Sequence, residues 1–193
     1  MSDSHHYEEN FFQKYIWSVD HKVIGIQYGI TSLLFLLFGF SLMAVMRYQL
    51  AYPEEVIPYI GNWFFSESGG VMLPENYNTL GAMHGTIMIF LGVVPLAVGA
   101  FGNYLVPLQI GAPDMAFPKL NAASYWSYFV GGVIMVASFF TPEGAARSGW
   151  TSYPPLSIFE SGQTMWLLGM VFLITSSLLG SMNIIVTIVQ LRA

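Results

Sequence analysis

The chain is 193 residues long, 54% hydrophobic and 9% charged, with a mean hydropathy of +0.57 and a formal net charge of −5. A soluble domain carries roughly 25% charged residues, so this composition is that of an integral membrane protein. The absence of cysteine excludes disulfides, thiolate metal sites and cysteine nucleophiles, and an acidic balance with no basic cluster excludes nucleic acid as a partner.

In chain order, residues 1–10 are polar, and the first 22 residues are polar and acidic rather than a basic segment leading into a short apolar one. No cleavable signal is expected from that pattern. His5 and His6 could bind a metal, but paired histidines at a chain end are more often incidental. Residues 11–22 mix Phe, Tyr and Trp17 with charges, as an interfacial anchor does. Four uncharged runs follow at 23–46, 79–104, 122–140 and 163–189, each meeting the need for about 20 apolar residues to cross hydrocarbon. The expected fold is all-α, with a tail and anchor over 1–22 and a four-helix membrane segment over 23–193. The loops at 47–78, 105–121 and 141–162 contain Pro and Gly, and no soluble domain or internal repeat is evident.

With four spans, both termini share a side with the middle loop. That side carries Lys14, Lys22, Lys119 and Arg192, while Arg47 and Arg147 lie opposite with six glutamates, Glu143 and Glu160 among them. The excess of Lys and Arg places the termini and Asp114 in the cytoplasm, or in the matrix of a mitochondrion.

The second run holds GAMHGTIMIF at 81–90, where His84 is the one histidine embedded in apolar sequence. An ionisable residue inside a span is costly and points to a function with a partner. Glycines at 81, 85, 92 and 99 recur at helical spacing, and His84 lies about 60° around an α-helix from Gly81. Two readings are open. A histidine beside a smooth wall suits a flat ligand such as haem, whose iron is commonly held by histidine. Alternatively, the glycines serve helix packing and His84 bonds a neighbouring carbonyl.

Other polar residues fall mostly toward the cytoplasmic side. Tyr28, Thr31 and Ser32 lie in the first run, Asn103 closes the second, Asn121 and Ser124 open the third, and Ser176, Ser177 and Asn183 lie in the fourth. With Asp114 in the short loop, this layout suits a hydrated proton-conducting path with an acid at its mouth. Singly, each residue is as well explained by a helix–helix hydrogen bond averaging about 0.6 kcal/mol.

The segment NYLVPLQIGAPDMAFPKLN at 103–121, with YNTLGAMHGTIMIF before it and GWTSYPPLS after it, closely resembles subunit I of the haem–copper oxygen reductases, the cytochrome c oxidase family. DHKVIGIQY at 20–28 and SSLLGSMN at 176–183 also match. The resemblance implies that His84 is an axial ligand of a low-spin haem, of the a type or else b. It implies that Arg47, in MRYQL, bonds a haem edge substituent, that Tyr77 lies close to that haem, and that Trp150 and Tyr153 lie in the outer loop near its propionates. Asp114 matches the acid at the entrance of a proton-uptake pathway, lined by Asn103, Asn121, Ser124, Ser176, Ser177 and Asn183, with Tyr28 and His21 near the mouth.

The family's subunit has about twelve helices, and the similarity here ends after the fourth. The second haem, the copper and their ligands are therefore expected from the remaining helices of the core. Implied partners are those helices, the other oxidase subunits including the copper-bearing subunit II, cytochrome c and membrane lipid. The implied location is a bacterial plasma (inner) membrane or the mitochondrial inner membrane. Quinol-oxidising relatives carry Arg, Asp, His and Gln where this chain has Phe38, Leu42, Asn76 and Thr79, which favours cytochrome c over quinol as donor. The implied activity is reduction of oxygen to water coupled to proton pumping, with no complete catalytic site in this segment. A non-catalytic four-helix module or assembly partner is the competing reading.

Overall fold

A computed structural model of the chain describes residues 10–142, 144–158 and 161–193. His5, His6, Glu143 and Glu160 lie outside them. Among the described residues all regular structure is helical, and four helices are long and apolar enough to cross a membrane. They are α1 (His21–Ala51), α2 (Pro74–Ile110), α3 (Pro118–Ala137, extended to Phe140 by a 3₁₀ turn) and α4 (Ser161–Gln190).

All four run past the uncharged segments that announce them, because polar residues at their ends continue the helix. Asp20 caps α1, its carboxylate accepting from the backbone N–H of Lys22 at 2.7 Å and of Val23 at 3.2 Å. Pro74 and Pro118 open α2 and α3 at the first turn, where a missing N–H costs nothing. Gly111, at φ +74°, ends α2 in the left-handed conformation that closes many helices.

The middle of α2 is not α-helical. Residues Ile87–Val93 and Pro95–Gly102 are wound as π-helix before α geometry resumes at Asn103. Pro95 brings no N–H to this stretch, and its ring crowds the preceding turn, which includes Leu91. The buried Tyr128 of α3 reaches that turn, its hydroxyl donating to the Leu91 oxygen at 2.7 Å. A proline in a span is tolerated when a neighbouring helix re-satisfies the freed backbone group.

The helices pack as two closely joined pairs. α1 lies along most of α2, and α3 along α4, with α1 also touching α3. At the α3–α4 crossing Gly131 faces Gly169, where a Cβ on Gly131 would sit 2.9 Å from the Gly169 oxygen and one on Gly169 would sit 3.0 Å from the Gly131 oxygen. Small residues permit such close backbone approach in membranes. Below, the last two turns of α2 meet α4. Above, Trp166 Nε1 makes a long 3.4 Å hydrogen bond to Thr86 Oγ1. Between these contacts α2 and α4 part around a cavity of about 490 Å³.

The segment before α1 folds as a short helix, Phe11–Tyr15, with Phe11, Phe12 and Trp17 exposed. Gln27 fixes it by donating from Nε2 to the Tyr15 and Ile16 carbonyls at 2.6 and 3.0 Å. Trp17 stacks on Trp126 of α3, ring centroids 4.5 Å apart.

Candidate functional site

The polar residues singled out by the sequence fall at two ends of the bundle, and the alternation of helix directions fixes which. His84, three turns into α2, shares one end with Arg47, Tyr77, Trp150 and Tyr153. His21, Asn103, Asp114, Asn121 and Asn183 share the other.

His84 is half-buried, and its Nδ1 lies 2.8 Å from the carbonyl oxygen of Gly39 on α1. A carbonyl only accepts, so Nδ1 carries the proton and Nε2 keeps its lone pair. No hydrogen-bond partner meets Nε2 among the described residues. A histidine that ligates iron is commonly held this way, by a carbonyl on its far nitrogen that fixes tautomer and ring orientation. Among those residues no group of three His, Cys, Asp or Glu side chains gathers to hold a metal ion. The imidazole thus offers a single nitrogen lone pair at this end of the bundle.

The glycines of α2 do not form one open wall. A Cβ on Gly99 would lie 2.5 Å from the Tyr28 ring, one on Gly81 3.2 Å from Met46 Cε, and Gly92 is closed off by Leu36, so these three admit α1. Gly85, next to His84, is the one that opens on space, with nothing within 4 Å of a Cβ there. Packing and histidine–carbonyl bonding both occur, and the open face narrows to a single glycine beside the imidazole.

Tyr77 lies seven residues before His84, two turns and so about the same face. It is half-buried and lines a recess of about 290 Å³ with Leu50, Met72, Pro74 and Asn78. Arg47 is exposed near the end of α1 and has no hydrogen-bond or charge partner among the described residues. Trp150 is 60% exposed but its ring approaches Phe90 of α2 at 6.3 Å between centroids, whereas Tyr153 is 73% exposed. The loop bearing both is tied to α4 through buried Gln163, which accepts from Ser148 Oγ at 2.8 Å.

At the opposite end a run of hydroxyls crosses three helices. Ser124 Oγ donates to the Asn121 carbonyl at 2.7 Å, and the Tyr28 hydroxyl donates to Ser124 Oγ at 3.1 Å. Ser176 Oγ, 3.1 Å from that phenol, must then be the donor to it, since the phenol has one proton. Thr31 and Tyr125 form a second buried pair at 3.1 Å. His21 is almost fully buried, and its Nδ1 bonds the Asn103 carbonyl at 2.9 Å.

The asparagines divide. Asn121 is fully buried with neither its Nδ2 nor its Oδ1 satisfied, and Asn103 donates to the Gly99 carbonyl at 2.7 Å but leaves Oδ1 orphaned. Each such atom costs about 1–3 kcal/mol unless water reaches it, and native proteins place ordered water at such positions. Asn183 is equally buried but engaged at both ends of its amide, accepting from the Phe117 N–H at 2.9 Å and donating to the Phe117 carbonyl at 3.1 Å. Asp114 is half-buried, one oxygen accepting the Met115 N–H at 2.6 Å. Tyr28, Asn103, Ser176 and Ser177 also line the α2–α4 cavity, so the hydroxyl run opens onto it. Thr187, Gln163 and Tyr128, which the sequence reading passed over, are structural partners of these groups.

Known proteins supply the context for this arrangement. The profile of the family described as Cytochrome C and Quinol oxidase polypeptide I matches residues 23–193. Cytochrome c oxidase subunit 1 of Synechocystis sp. is 44% identical over 191 residues, covering 98% of this chain and 32% of that protein. The subunit of the same name from Thermostichus vulcanus is 46% identical over 184 residues, 94% of this chain and 30% of that one. A putative cytochrome c oxidase subunit 1-beta of Streptomyces coelicolor is 46% identical over 180 residues, 91% and 29% respectively. The chain thus spans about a third of the length of the curated relatives it matches. With the family profile covering all four membrane helices, this chain belongs to the cytochrome c and quinol oxidase polypeptide I family.

Proposed function

We propose that this chain is the low-spin-haem and proton-uptake segment of a cytochrome c oxidase that reduces oxygen to water and couples the reaction to proton pumping. The observation that carries the haem half is His84, whose Nδ1 is committed to Gly39 while Nε2 meets no partner among the described residues. Nε2 would be one axial ligand. Gly85 would leave room for the macrocycle, and unpaired Arg47 would neutralise an acidic or polar edge group, with Tyr77, Trp150 and Tyr153 around it. The haem, of type a or b, supplies reversible one-electron iron chemistry. The chain's part is to hold the imidazole in one tautomer and orientation, which sets ligand basicity and thereby potential.

For the proton half, the support is the orphaned amide atoms of Asn103 and Asn121 beside the run from Ser176 through Tyr28 to Ser124. Water at those atoms would continue the path from Asp114 inward past His21, Asn103 and Asn121 to the cavity bearing Ser176 and Ser177. Asp114, next to the loop surface, would collect protons. Phe38, Leu42, Asn76 and Thr79 favour cytochrome c over quinol as donor. The second haem and copper would come from the rest of the subunit, which would pack beside these helices together with subunit II. The protein would lie in a bacterial plasma membrane, or the mitochondrial inner membrane, with both termini on the cytoplasmic or matrix side.

The test is His84→Asn in the assembled oxidase. Loss or a clear shift of the low-spin haem absorption, with oxygen uptake falling by about tenfold or more, is the expected result. A wild-type spectrum with normal oxygen uptake would remove His84 from the ligand set.

A further inference from the structure

We infer that Asn183 and Thr187 are positioning residues which clamp the backbone of residues 115–117 onto α4 and thereby fix where the Asp114 carboxylate stands. Three successive backbone N–H groups precede α3, and each goes to a different side chain. Met115 N–H goes to Asp114 Oδ1 at 2.6 Å, Ala116 N–H to Thr187 Oγ1 at 2.9 Å, and Phe117 N–H to Asn183 Oδ1 at 2.9 Å. Asn183 also donates to the Phe117 carbonyl at 3.1 Å, engaging that residue's backbone from both sides as a neighbouring strand would. The same carbonyl accepts the Asn121 N–H at 3.0 Å, so the clamp reaches the first turn of α3 where Asn121 stands.

Asn183 and Thr187 lie four residues apart on α4, one above the other, and both are fully buried. Thr187 closes the pair by donating its proton to the Asn183 carbonyl at 2.7 Å, which leaves its oxygen lone pairs for Ala116. This geometry commits both ends of the Asn183 amide, Oδ1 and one N–H, to the Phe117 backbone, whereas neither end of the Asn121 amide meets a partner among the described residues. Two buried asparagines in one region thus have different tasks: Asn121 offers polar atoms to water, and Asn183 holds backbone. The far side of the loop is closed as well, Ala112 N–H bonding Pro107 O at 2.9 Å and Ala193 N–H bonding Ile110 O at 3.0 Å. The carboxylate is thereby carried on a backbone pinned at both ends.

The consequence for uptake rests on the reading of Asp114 as the proton entrance; the clamp itself does not. Three variants in the assembled oxidase separate the two. Thr187→Val and Asn183→Leu delete the side-chain acceptors with little change in volume, and Thr187→Ser keeps the hydroxyl. Amide hydrogen exchange over residues 115–117 is expected to rise about tenfold or more in the two deletion variants and to return to wild type in Thr187→Ser. The rate of proton uptake from the Asp114 side should fall with it and recover with it, while the low-spin haem spectrum stays unchanged. Unchanged exchange in Thr187→Val, or Thr187→Ser behaving like Thr187→Val, overturns the clamp. Faster exchange with wild-type proton uptake overturns its positioning role. Asp114→Asn, measured alongside, reports on the entrance: normal pumping there ends that reading and the positioning role with it, and leaves the exchange result standing. If Asn183→Leu fails to assemble, the Val and Ser pair at Thr187 decides alone.

Discussion

Asn121 is where residue-scale energetics and function pull in opposite directions. Its amide is fully buried with neither end satisfied by any described residue. If no water served it, replacement by leucine of similar volume would relieve about 1–3 kcal/mol per orphaned atom. If water is held there, leucine removes a link in a proton path. With water held there we expect the second outcome from Asn121→Leu in the assembled oxidase: steady-state oxygen uptake lowered several-fold, with no gain in melting temperature. Thermal unfolding and oxygen electrode traces on one preparation check this. Wild-type uptake would show that the amide carries no protons. Sequence reading could nominate this residue, because an asparagine inside a span stands out. It could not separate Asn121 from Asn183, since the difference lies in the Phe117 backbone, 66 residues from Asn183, which only the fold brings near. Thr187 went unseen for a related reason, because a lone threonine in a span ordinarily bonds its own helix.

Among the elements, α2 carries both ends of the proposed function, with His84 before its π-wound stretch and Asn103 after it. That stretch determines how the two halves are aimed at each other, and Tyr128 braces it at the Leu91 carbonyl, in the turn before Pro95. Tyr128→Phe should cost about 1–3 kcal/mol by stranding that carbonyl. Pro95→Ala supplies a backbone N–H to the same turn, so it should recover part of the loss in the double variant although it touches nothing on α3. Thermal unfolding of the four proteins in the cycle measures the coupling. Additive losses would show that Tyr128 does not answer for the proline. Pro95 stands in the sequence inside the uninterrupted run 79–104. The winding around it was not legible there, because π geometry depends on which neighbour reaches the carbonyl. Likewise the four spans follow from apolar length, whereas their ends depend on Asp20, Pro74 and Pro118 extending helices into polar sequence.

For the whole molecule, the pairing of helices was least legible, because glycines occur in every span and nothing in their spacing says which two will face. The fold resolves it by distance. Gly131 and Gly169 hold α3 and α4 in backbone contact, whereas Gly180, further along α4, has nothing within 4 Å of a Cβ. These positions make opposite predictions for the same chemical change. Gly131→Ala drives a methyl to 2.9 Å from a carbonyl oxygen on a backbone that cannot rotate away, at a cost of about 1–3 kcal/mol by overpacking. Gly180→Ala meets open space and gains up to about 1 kcal/mol of helix propensity. If a further helix of the subunit packs against α4 at Gly180, that gain turns into a loss in the assembled complex. The thermal stability of the complex with each variant therefore tests two things. A neutral Gly131→Ala would mean that the α3–α4 crossing is looser than its backbone distances imply. A destabilising Gly180→Ala would place a neighbour against that part of α4, on the face where this third of the subunit is open.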